Sequence, residues 1–301
     1  MVSSGTYRTV VGVLGVVHTI WGIAQIVMTF TSPCAFKWSV SEHYRPAGAD
    51  DLGYGMSPGA YHENQFSSLL LSGIATLTVG IGYLWQIMGM SMNDNKKSAP
   101  WFETIVQIDS RFRPSRWIIW GIAFALIIAQ VSFYAAVEDT YLVAALAILS
   151  IPLHYLQSEN EAMNTDMKET TRVREGEATE EQALIGLADS KFTKLPRAEA
   201  WCVAFLIWVF IGLVWFLHLG FSASSATSTM RFFEIFIPIM TWVVYAGLHV
   251  AILLKLTNYG IDTWDTDKYG REWAYIAVIT FIVLFNSISS VAATPGSSCP
   301  T

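Results

Sequence analysis

The chain has 301 residues, of which 53% are hydrophobic and 14% are charged, and its formal net charge is −6 at pH 7. A soluble single domain cannot bury that much apolar surface, so the composition excludes one and indicates an integral, multi-pass membrane protein. The charged residues lie almost wholly between the apolar segments, and we expect membrane lipids rather than a nucleic acid as the surroundings of this protein.

Seven windows of predominantly apolar residues occur along the chain, and each is about long enough to cross roughly 30 Å of hydrocarbon as a helix. They cover 9–30, 66–90, 117–137, 141–157, 199–219, 232–255 and 273–293. The fourth window is the shortest and contains Pro152, which a membrane helix tolerates where neighbouring helices satisfy the freed carbonyl. Arg8 leads directly into the first window without a cleavage site, so we expect this span to be retained. The pattern predicts an all-α, seven-helix membrane domain over 1–301.

The basic residues predict the orientation of this bundle. If the amino terminus is cytoplasmic, all of the 18 Lys and Arg residues except Lys37, Arg45 and Arg231 fall on the cytoplasmic side. Basic residues concentrate on the cytoplasmic side of membrane proteins. We therefore expect the amino terminus inside and the carboxyl terminus outside.

Two long connections lie between the predicted helices. The outer loop 31–65 is rich in Gly, Pro, Tyr and Asp, which predicts a small cap of strands and turns over the bundle. The inner loop 158–198 carries mixed charges and is predicted to be solvated, with one short helix over 183–187 as the alternative.

Three cysteines occur in the sequence. Cys34 and Cys299 both fall on the predicted outer side, where a disulfide between them is one alternative and two free thiols are the other. Cys202, near the inner end of the fifth helix, is expected to be a small buried hydrophobic residue.

The middle third of every predicted span lacks Asp, Glu, Lys and Arg. Because proton pumps and ion-coupled transporters use carboxylates at membrane depth, this absence argues against both functions. The remaining polar side chains fall on shared helix faces, which predicts hydrogen bonds between helices. These faces comprise His18, Trp21 and Gln25; Ser72 and Thr76; Gln130 and Tyr134; and Thr241, Tyr245 and His249.

An alternative reading of the same polar residues is a metal site. His18, His154 and His249 all fall in the predicted inner half of the bundle, where three imidazoles would suit zinc and a membrane hydrolase. No carboxylate accompanies them, and no nucleophile, base and acid set is recognisable in the spans. Our main interpretation is therefore that the protein is not an enzyme and holds no metal.

Motifs in five of the helices resemble a known family. They are 13–24, with Trp21 where the family has Gln; 71–77, with Thr76 where a His is usual; Arg116-Trp117-Ile118-Ile119-Trp120-Gly121; 156–159; and 269–276. Together they resemble the heliorhodopsins. The resemblance implies a rhodopsin-like bundle with inverted orientation, an extended outer loop after the first helix, and a homodimer. The implied orientation agrees with the distribution of basic residues.

Two departures from the family's pattern bear on function. The position of the retinal-bearing Lys is Val283, and the position of the Schiff-base counterion Glu is Ile119. Losing both is physically coherent, because a buried carboxylate without its cation would be an unpaired charge costing several kcal/mol. No Lys occurs anywhere in 273–293, so the resemblance implies a scaffold without covalently bound retinal.

The favoured hypothesis is a non-photoactive, heliorhodopsin-like protein with a binding, sensory or regulatory role. It would bind a partner or take a lipid or another apolar ligand into the vacated pocket. The candidate pocket residues are His18, Trp21, Thr76, Trp120, Phe124, Trp208, Trp242, Tyr245 and Phe281, with core packing as the alternative for the aromatic ones. A structural subunit of a larger membrane complex is the second hypothesis, and the metal-dependent hydrolase is the third.

Overall fold

The structure is a computed structural model, which describes part of the chain. The described residues are 4–31, 37–40, 44–46, 56–58, 64–94, 114–135, 137, 139–158, 197–221, 228–256 and 270–293. Cys34, Cys299 and nearly all of the inner loop 158–198 lie outside these residues, so the disulfide and the loop's conformation remain predictions.

The described residues form seven long helices. They are α1 (Ser4–Thr31), α2 (Ser68–Asp94), α3 (Pro114–Tyr134), α4 (Thr140–Ile148, continued over 150–158), α5 (Arg197–Phe221), α6 (Ser228–Leu256) and α7 (Gly270–Ala293). All of these except α6 are long and apolar enough to cross a membrane, and within α6 the described apolar part is the shorter segment Ile235–Val250. The prediction of a helical, multi-pass membrane protein is confirmed.

The distribution of side chains is that of a membrane bundle. Large apolar residues cover the outside, as shown by Ile20 at 64% exposure and Phe30 at 77%. Small and polar residues such as Ser72 and Thr76 are buried. Lipid tails are as apolar as these exposed side chains, so the exposed surface carries no cost in a bilayer. Cys202, which the sequence predicted to be buried, is also exposed, because it lies on this outer surface of α5.

Helices α1 and α2 pack closely because glycines remove side chains from their contact. A Cβ atom added to Gly22 of α1 would lie 2.6 Å from the backbone nitrogen of Leu77 in α2. A Cβ added to Gly80 of α2 would lie 2.6 Å from the backbone nitrogen of Thr19 in α1. Small residues allow membrane helices to approach at backbone distance, where van der Waals packing is strongest. This pair therefore depends on glycine at both positions.

Helix α2 lies centrally and also contacts α3 and α7, while α6 contacts α3, α5 and α7. The interior between α2, α3, α6 and α7 is where the polar and aromatic side chains described below come together.

The fourth of the described helices is the least regular and is interrupted by a turn at Leu149. Pro152 has no backbone N–H for the carbonyl of Ile148, which disturbs the helix one turn earlier. The backbone N–H of Leu149 still donates to Ala145 at 3.1 Å, and that of Leu153 donates to Leu149 at 3.2 Å. The chain therefore continues through the break as one span, as the sequence predicted. Its first turn is capped by Asp139, whose side chain accepts from the backbone N–H of Leu142.

The loop between α1 and α2 contains the strands that its composition predicted. Strand β1 (Lys37–Val40) pairs antiparallel with β4 (Asn64–Ser67), and β2 (Tyr44–Pro46) pairs antiparallel with β3 (Met56–Pro58). Because β4 ends where α2 begins, the β1–β4 sheet lies at the end of the bundle where α2 starts. We call this the cap end, and the other end the opposite end.

Candidate functional site

The described interior contains many buried polar side chains among the apolar ones, but it carries no fixed charge. Every buried polar side chain in this part of the chain is Ser, Thr, Gln, Asn or His, and no buried Asp, Glu, Lys or Arg occurs among them. Burying an ion in the hydrocarbon region without a partner is costly, whereas neutral polar groups need only hydrogen bonds. The interior is therefore built to hold helices together through neutral hydrogen bonds.

One hydrogen-bonded group near the cap end links α1, α2 and α7, and we call it the Gln25 cluster. The Nε2 atom of Gln25 donates to Ser72 Oγ at 3.3 Å and to the backbone oxygen of Ser287 at 3.2 Å. Ser287 Oγ in turn donates to Gln25 Oε1 at 2.9 Å and accepts from Trp21 Nε1. This arrangement satisfies the whole amide of a buried glutamine, so Trp21 and Gln25 act as a structural connection to α7.

A second group, the Gln130 cluster, links α3, α6 and α7. Gln130 Nε2 donates to Ser290 Oγ and, at 3.3 Å, to the backbone oxygen of Asn286. Asn286 Nδ2 donates to Thr241 Oγ1 at 3.1 Å and to the backbone oxygen of Ile282 at 2.9 Å. Both amide nitrogens are used by these bonds, which leaves the amide oxygens of Gln130 and Asn286 as buried acceptors without a donor in the described chain.

We expect the Gln130 cluster to be cooperative, because each member leaves buried partners unpaired when it is removed. Gln130→Leu and Ser290→Ala should each lower the free energy of unfolding by ~1–3 kcal/mol. The double variant should be less destabilised than the two losses combined, with a coupling of ~1 kcal/mol in a double-mutant cycle measured by thermal denaturation in detergent.

The matched control for that cycle is Ser289→Ala. Ser289 is also buried on α7, but its side chain makes no hydrogen bond within the described residues. It should show no coupling to Gln130→Leu. Additive effects of Gln130→Leu and Ser290→Ala would contradict the cluster.

Toward the opposite end, His154 of α4 is fully hydrogen-bonded. Its Nδ1 atom lies 2.8 Å from the backbone oxygen of Ser150, and since a carbonyl oxygen can only accept, Nδ1 carries the proton. The Nε2 atom is then an acceptor and receives the hydroxyl of Tyr245 of α6 at 3.0 Å. Both ring nitrogens are occupied, so His154 connects α4 to α6 as a neutral side chain.

His249 of α6 has the other tautomer. Its Nδ1 atom lies 2.7 Å from Gln157 Nε2, and because an amide nitrogen can only donate, Nδ1 accepts and Nε2 carries the proton. Neither His249 Nε2 nor Gln157 Oε1 has a partner in the described chain. The backbone oxygen of His249 accepts from Trp201 Nε1 at 2.9 Å, which connects α5 to the same turn of α6.

The three histidines do not form the metal site that the hydrolase hypothesis requires. The rings of His154 and His249 both pack near the Tyr245 ring, at centroid distances of 5.8 Å and 5.1 Å. His18 donates to the backbone oxygen of Leu14 and packs against Tyr83 of α2 at 5.7 Å. No group of three potential metal ligands occurs among the described residues. The alternative prediction that His18, His154 and His249 come together around one metal is therefore wrong.

Aromatic rings from α3, α5 and α6 fill the middle of the bundle. The ring centroid of Tyr245 lies 4.6 Å from that of Phe124 and 4.7 Å from that of Trp208. Nearer the opposite end, Trp120 contacts Tyr275 of α7 at 5.6 Å. Ring contacts at these distances are those of a packed core. The pocket candidates Phe124, Trp208 and Tyr245 thus pack against one another.

Trp208 and Trp242 join α5 to α6 by a reciprocal pair of hydrogen bonds. Each indole N–H donates to the other residue's backbone oxygen at 3.1 Å. Gly212 makes this possible, because a Cβ added there would lie 2.1 Å from Trp242 Nε1. Both tryptophans were pocket candidates, and the structure gives them a role in joining helices. From the sequence alone, Gly212 is recognisable only as a small residue, and its contact with Trp242 could not be predicted.

The remaining pocket candidates do not form one site. His18, Trp21 and Thr76 contact groups of α1, α2 and α7, and Thr76 donates to the backbone oxygen of Ser72 in its own helix. Phe281 is 44% exposed on the outer surface of α7, so its assignment to an interior pocket is wrong.

The two positions at which the resemblance implies the family's retinal site hold apolar side chains. Val283 is 1% exposed on α7, with Ile279 and Ile282 as buried neighbours. Ile119 is half-buried against α2, where its Cγ2 atom lies 2.7 Å from the position that a Cβ of Gly82 would take.

Sequence reasoning missed the contribution of α7 to both clusters. Asn286, Ser287 and Ser290 are buried, and their spacing of one and four residues places them along one helix face. The presence of these three polar residues within the apolar window 273–293 was the signal in the sequence that could have indicated this contribution.

Comparisons with known proteins add no family. A scan against protein-family models finds no match to this chain. A search of the curated proteins likewise finds no relative with significant similarity.

Proposed function

We propose that this protein is a seven-span, heliorhodopsin-like membrane scaffold that binds no retinal covalently and acts through binding. In this proposal the amino terminus is cytoplasmic, and α6 also crosses the membrane, which brings the number of spans to seven. The protein assembles as a homodimer. The ligand class that suits its surface is lipid. The proposal joins the sequence resemblance to the properties of the interior.

The observation that carries the proposal is the neutral interior. A retinal Schiff base needs a lysine and a group that balances its charge, and the described interior offers only Ser, Thr, Gln, Asn and His as buried polar residues. Val283 and Ile119 stand where the resemblance implies the lysine and the counterion. An unpaired ammonium at this depth would cost several kcal/mol, so apolar residues at both positions support a scaffold without a pigment.

The same interior argues against catalysis and ion transport. His154 uses both ring nitrogens in hydrogen bonds between helices, and the only side chain that bonds to the imidazole of His249 is Gln157 in the described chain. Among the described residues neither histidine is bonded to a carboxylate, and the Ser150 hydroxyl that lies 3.3 Å from His154 Nδ1 donates instead to the backbone oxygen of Gly121 at 2.8 Å. The groups that could move a proton instead fasten helices, which supports binding as the function.

The retinal test follows directly. We expect purified protein mixed with all-trans-retinal to show only the absorption of free retinal, without a red-shifted band that hydroxylamine bleaches. A retinal-binding microbial rhodopsin treated in the same way provides the positive control. A red-shifted, hydroxylamine-sensitive band, or a retinal adduct on any lysine in a peptide map after borohydride reduction, would refute the proposal.

A further inference from the structure

The spans α1 and α4 differ in the length of apolar helix that they offer to the bilayer. Helix α1 has no charged residue from Thr9 to its end at Thr31, which is about 33 Å at a rise of about 1.5 Å per residue. The corresponding stretch of α4 is 140–158, or about 27 Å, because Asp139 precedes it and Glu159 follows it. A typical hydrocarbon core is about 30 Å thick, so α1 exceeds this thickness and α4 falls short of it.

The exposed side chains of the two helices show the same difference. On α1 every exposed residue from Val13 to Phe30 is apolar, over about 26 Å of helix. On α4 the exposed face carries a tyrosine near each end, with Tyr141 at 65% exposure and Tyr155 at 60%, only about 21 Å apart along the helix. Tyrosine is enriched where the hydrocarbon meets the headgroups. The two tyrosines therefore indicate a short hydrocarbon path at α4.

Helix α4 has little freedom to adjust to a thicker bilayer. Its cap-end boundary is fixed, because the carboxylate of Asp139 accepts the backbone N–H of Leu142 at 2.8 Å and caps the helix. Further along, Ser150 donates to α3 and His154 accepts from α6, which holds the rest of the helix in the bundle. Tilting only reduces the distance that a helix spans. The acidic residues beside α4 also lack the long stems with which Lys and Arg reach an interface.

The long and the short helix lie at different places on the perimeter of the bundle. The main neighbour of α1 is α2, the main neighbour of α4 is α3, and α2 packs against α3 between them. A flat bilayer of one thickness cannot match both helices. A span that is too long is accommodated by tilting, whereas a span that is too short is accommodated by thinning of the bilayer around it.

We infer that the bilayer is thinner at α4 than at α1, and that phospholipids with short acyl chains concentrate along α4. Short chains fill a thin bilayer with the least deformation, so they are favoured where the bilayer must meet α4. The inference names a lipid class and a surface for the binding function proposed above, and it rests on that proposal in taking lipid as the ligand.

The test uses the full-length protein in vesicles of dioleoylphosphatidylcholine. The vesicles include equal trace amounts of two photoactivatable phosphatidylcholines, one with myristoyl and one with oleoyl chains, which carry a diazirine at the same carbon and differ in mass. After illumination, peptide mapping gives the ratio of myristoyl to oleoyl adducts on each helix. We expect this ratio to be at least about twofold higher on 140–158 than on 9–31, which serves as the internal reference.

A variant with a longer uncharged stretch tests the cause of the preference. Glu159→Leu combined with Glu161→Leu moves the first charged residue after α4 to Asp166, so the adduct ratio on α4 should fall to that on α1. The matched control is Glu180→Leu combined with Glu181→Leu, which makes the same change of charge elsewhere in the inner loop and should keep the wild-type ratio. Thermal denaturation of both variants establishes that they are folded.

The inference fails under three outcomes. Equal adduct ratios on α4 and α1 would show that the bilayer has one thickness around the bundle. A higher ratio on α4 that both pairs of substitutions leave unchanged would show that apolar length is not its cause. Crosslinks between two copies through α4, in place of lipid adducts, would show that a second copy covers this helix. None of these outcomes produces a retinal band, so failure of this inference is distinguishable from failure of the proposed scaffold.

Discussion

Gly22→Ala is expected to lower the free energy of unfolding of the bundle by ~2–3 kcal/mol, since overpacking a close contact typically costs ~1–3 kcal/mol. The added methyl carbon would lie 2.6 Å from the backbone nitrogen of Leu77 and 2.8 Å from the backbone oxygen of Gly73. Backbone atoms cannot move aside as a side chain can, so α1 and α2 must separate. Separation also weakens the contact around Gly80, on the same interface. Thermal denaturation in detergent measures the loss.

Gly12→Ala is the matched control on the same helix. A Cβ added at Gly12 meets nothing within 4 Å, so only the higher helix propensity of alanine remains, which favours the variant by ~0.5–1 kcal/mol. We expect the two variants to change stability in opposite directions. Equal stability of Gly22→Ala and Gly12→Ala would mean that α1 and α2 do not pack at backbone distance.

Val283→Lys is the second change with a large expected effect. It places an ammonium where the described interior has only neutral groups, and a Lys at the centre of a membrane helix costs ~2.5–3.5 kcal/mol on insertion scales. Val283→Met provides a side chain of similar length without the charge. We therefore expect the Lys variant to unfold at a lower temperature than the Met variant, and to yield less monodisperse protein on size exclusion.

The heliorhodopsin resemblance makes a further prediction for this position. If positions 119 and 283 face each other as the lysine and counterion do in that family, Ile119→Glu added to Val283→Lys should recover part of the lost stability through an ion pair. Ile119→Gln added to Val283→Lys is the uncharged control. A double variant no more stable than Val283→Lys would count against the resemblance, while a neutral interior would still explain the cost of the lysine.

The sequence predicted the helices well, because length and apolarity along the chain are local properties. The first window, 9–30, falls within α1 (Ser4–Thr31), and the last, 273–293, falls within α7 (Gly270–Ala293). The predicted ends of the helices were less accurate than their positions along the chain. The third window was extended to 137, whereas α3 ends at Tyr134, because hydropathy does not register the turn before Asp139 caps α4.

Helical spacing also identified most of the inward faces. Gln25, Gln130, Thr241 and His249 are buried, as their periodicity predicted. Spacing cannot say which neighbouring helix a face meets, so the partners of these residues on α7 were not foreseen. The same limit explains Phe281, since an aromatic residue in an apolar window is equally compatible with the core and with the lipid-facing surface.

The pairing of Trp208 with Trp242 over Gly212 has a mechanical consequence. Two indole–carbonyl bonds in opposite directions resist both sliding and rotation of α5 against α6, so these helices should behave as a single rigid block. A signal that tilts α6 must then displace α5 as well, and α5 presents Val203, Leu206 and Phe210 to the bilayer. Any switching motion of α6 would therefore displace the lipid-facing surfaces of two helices together.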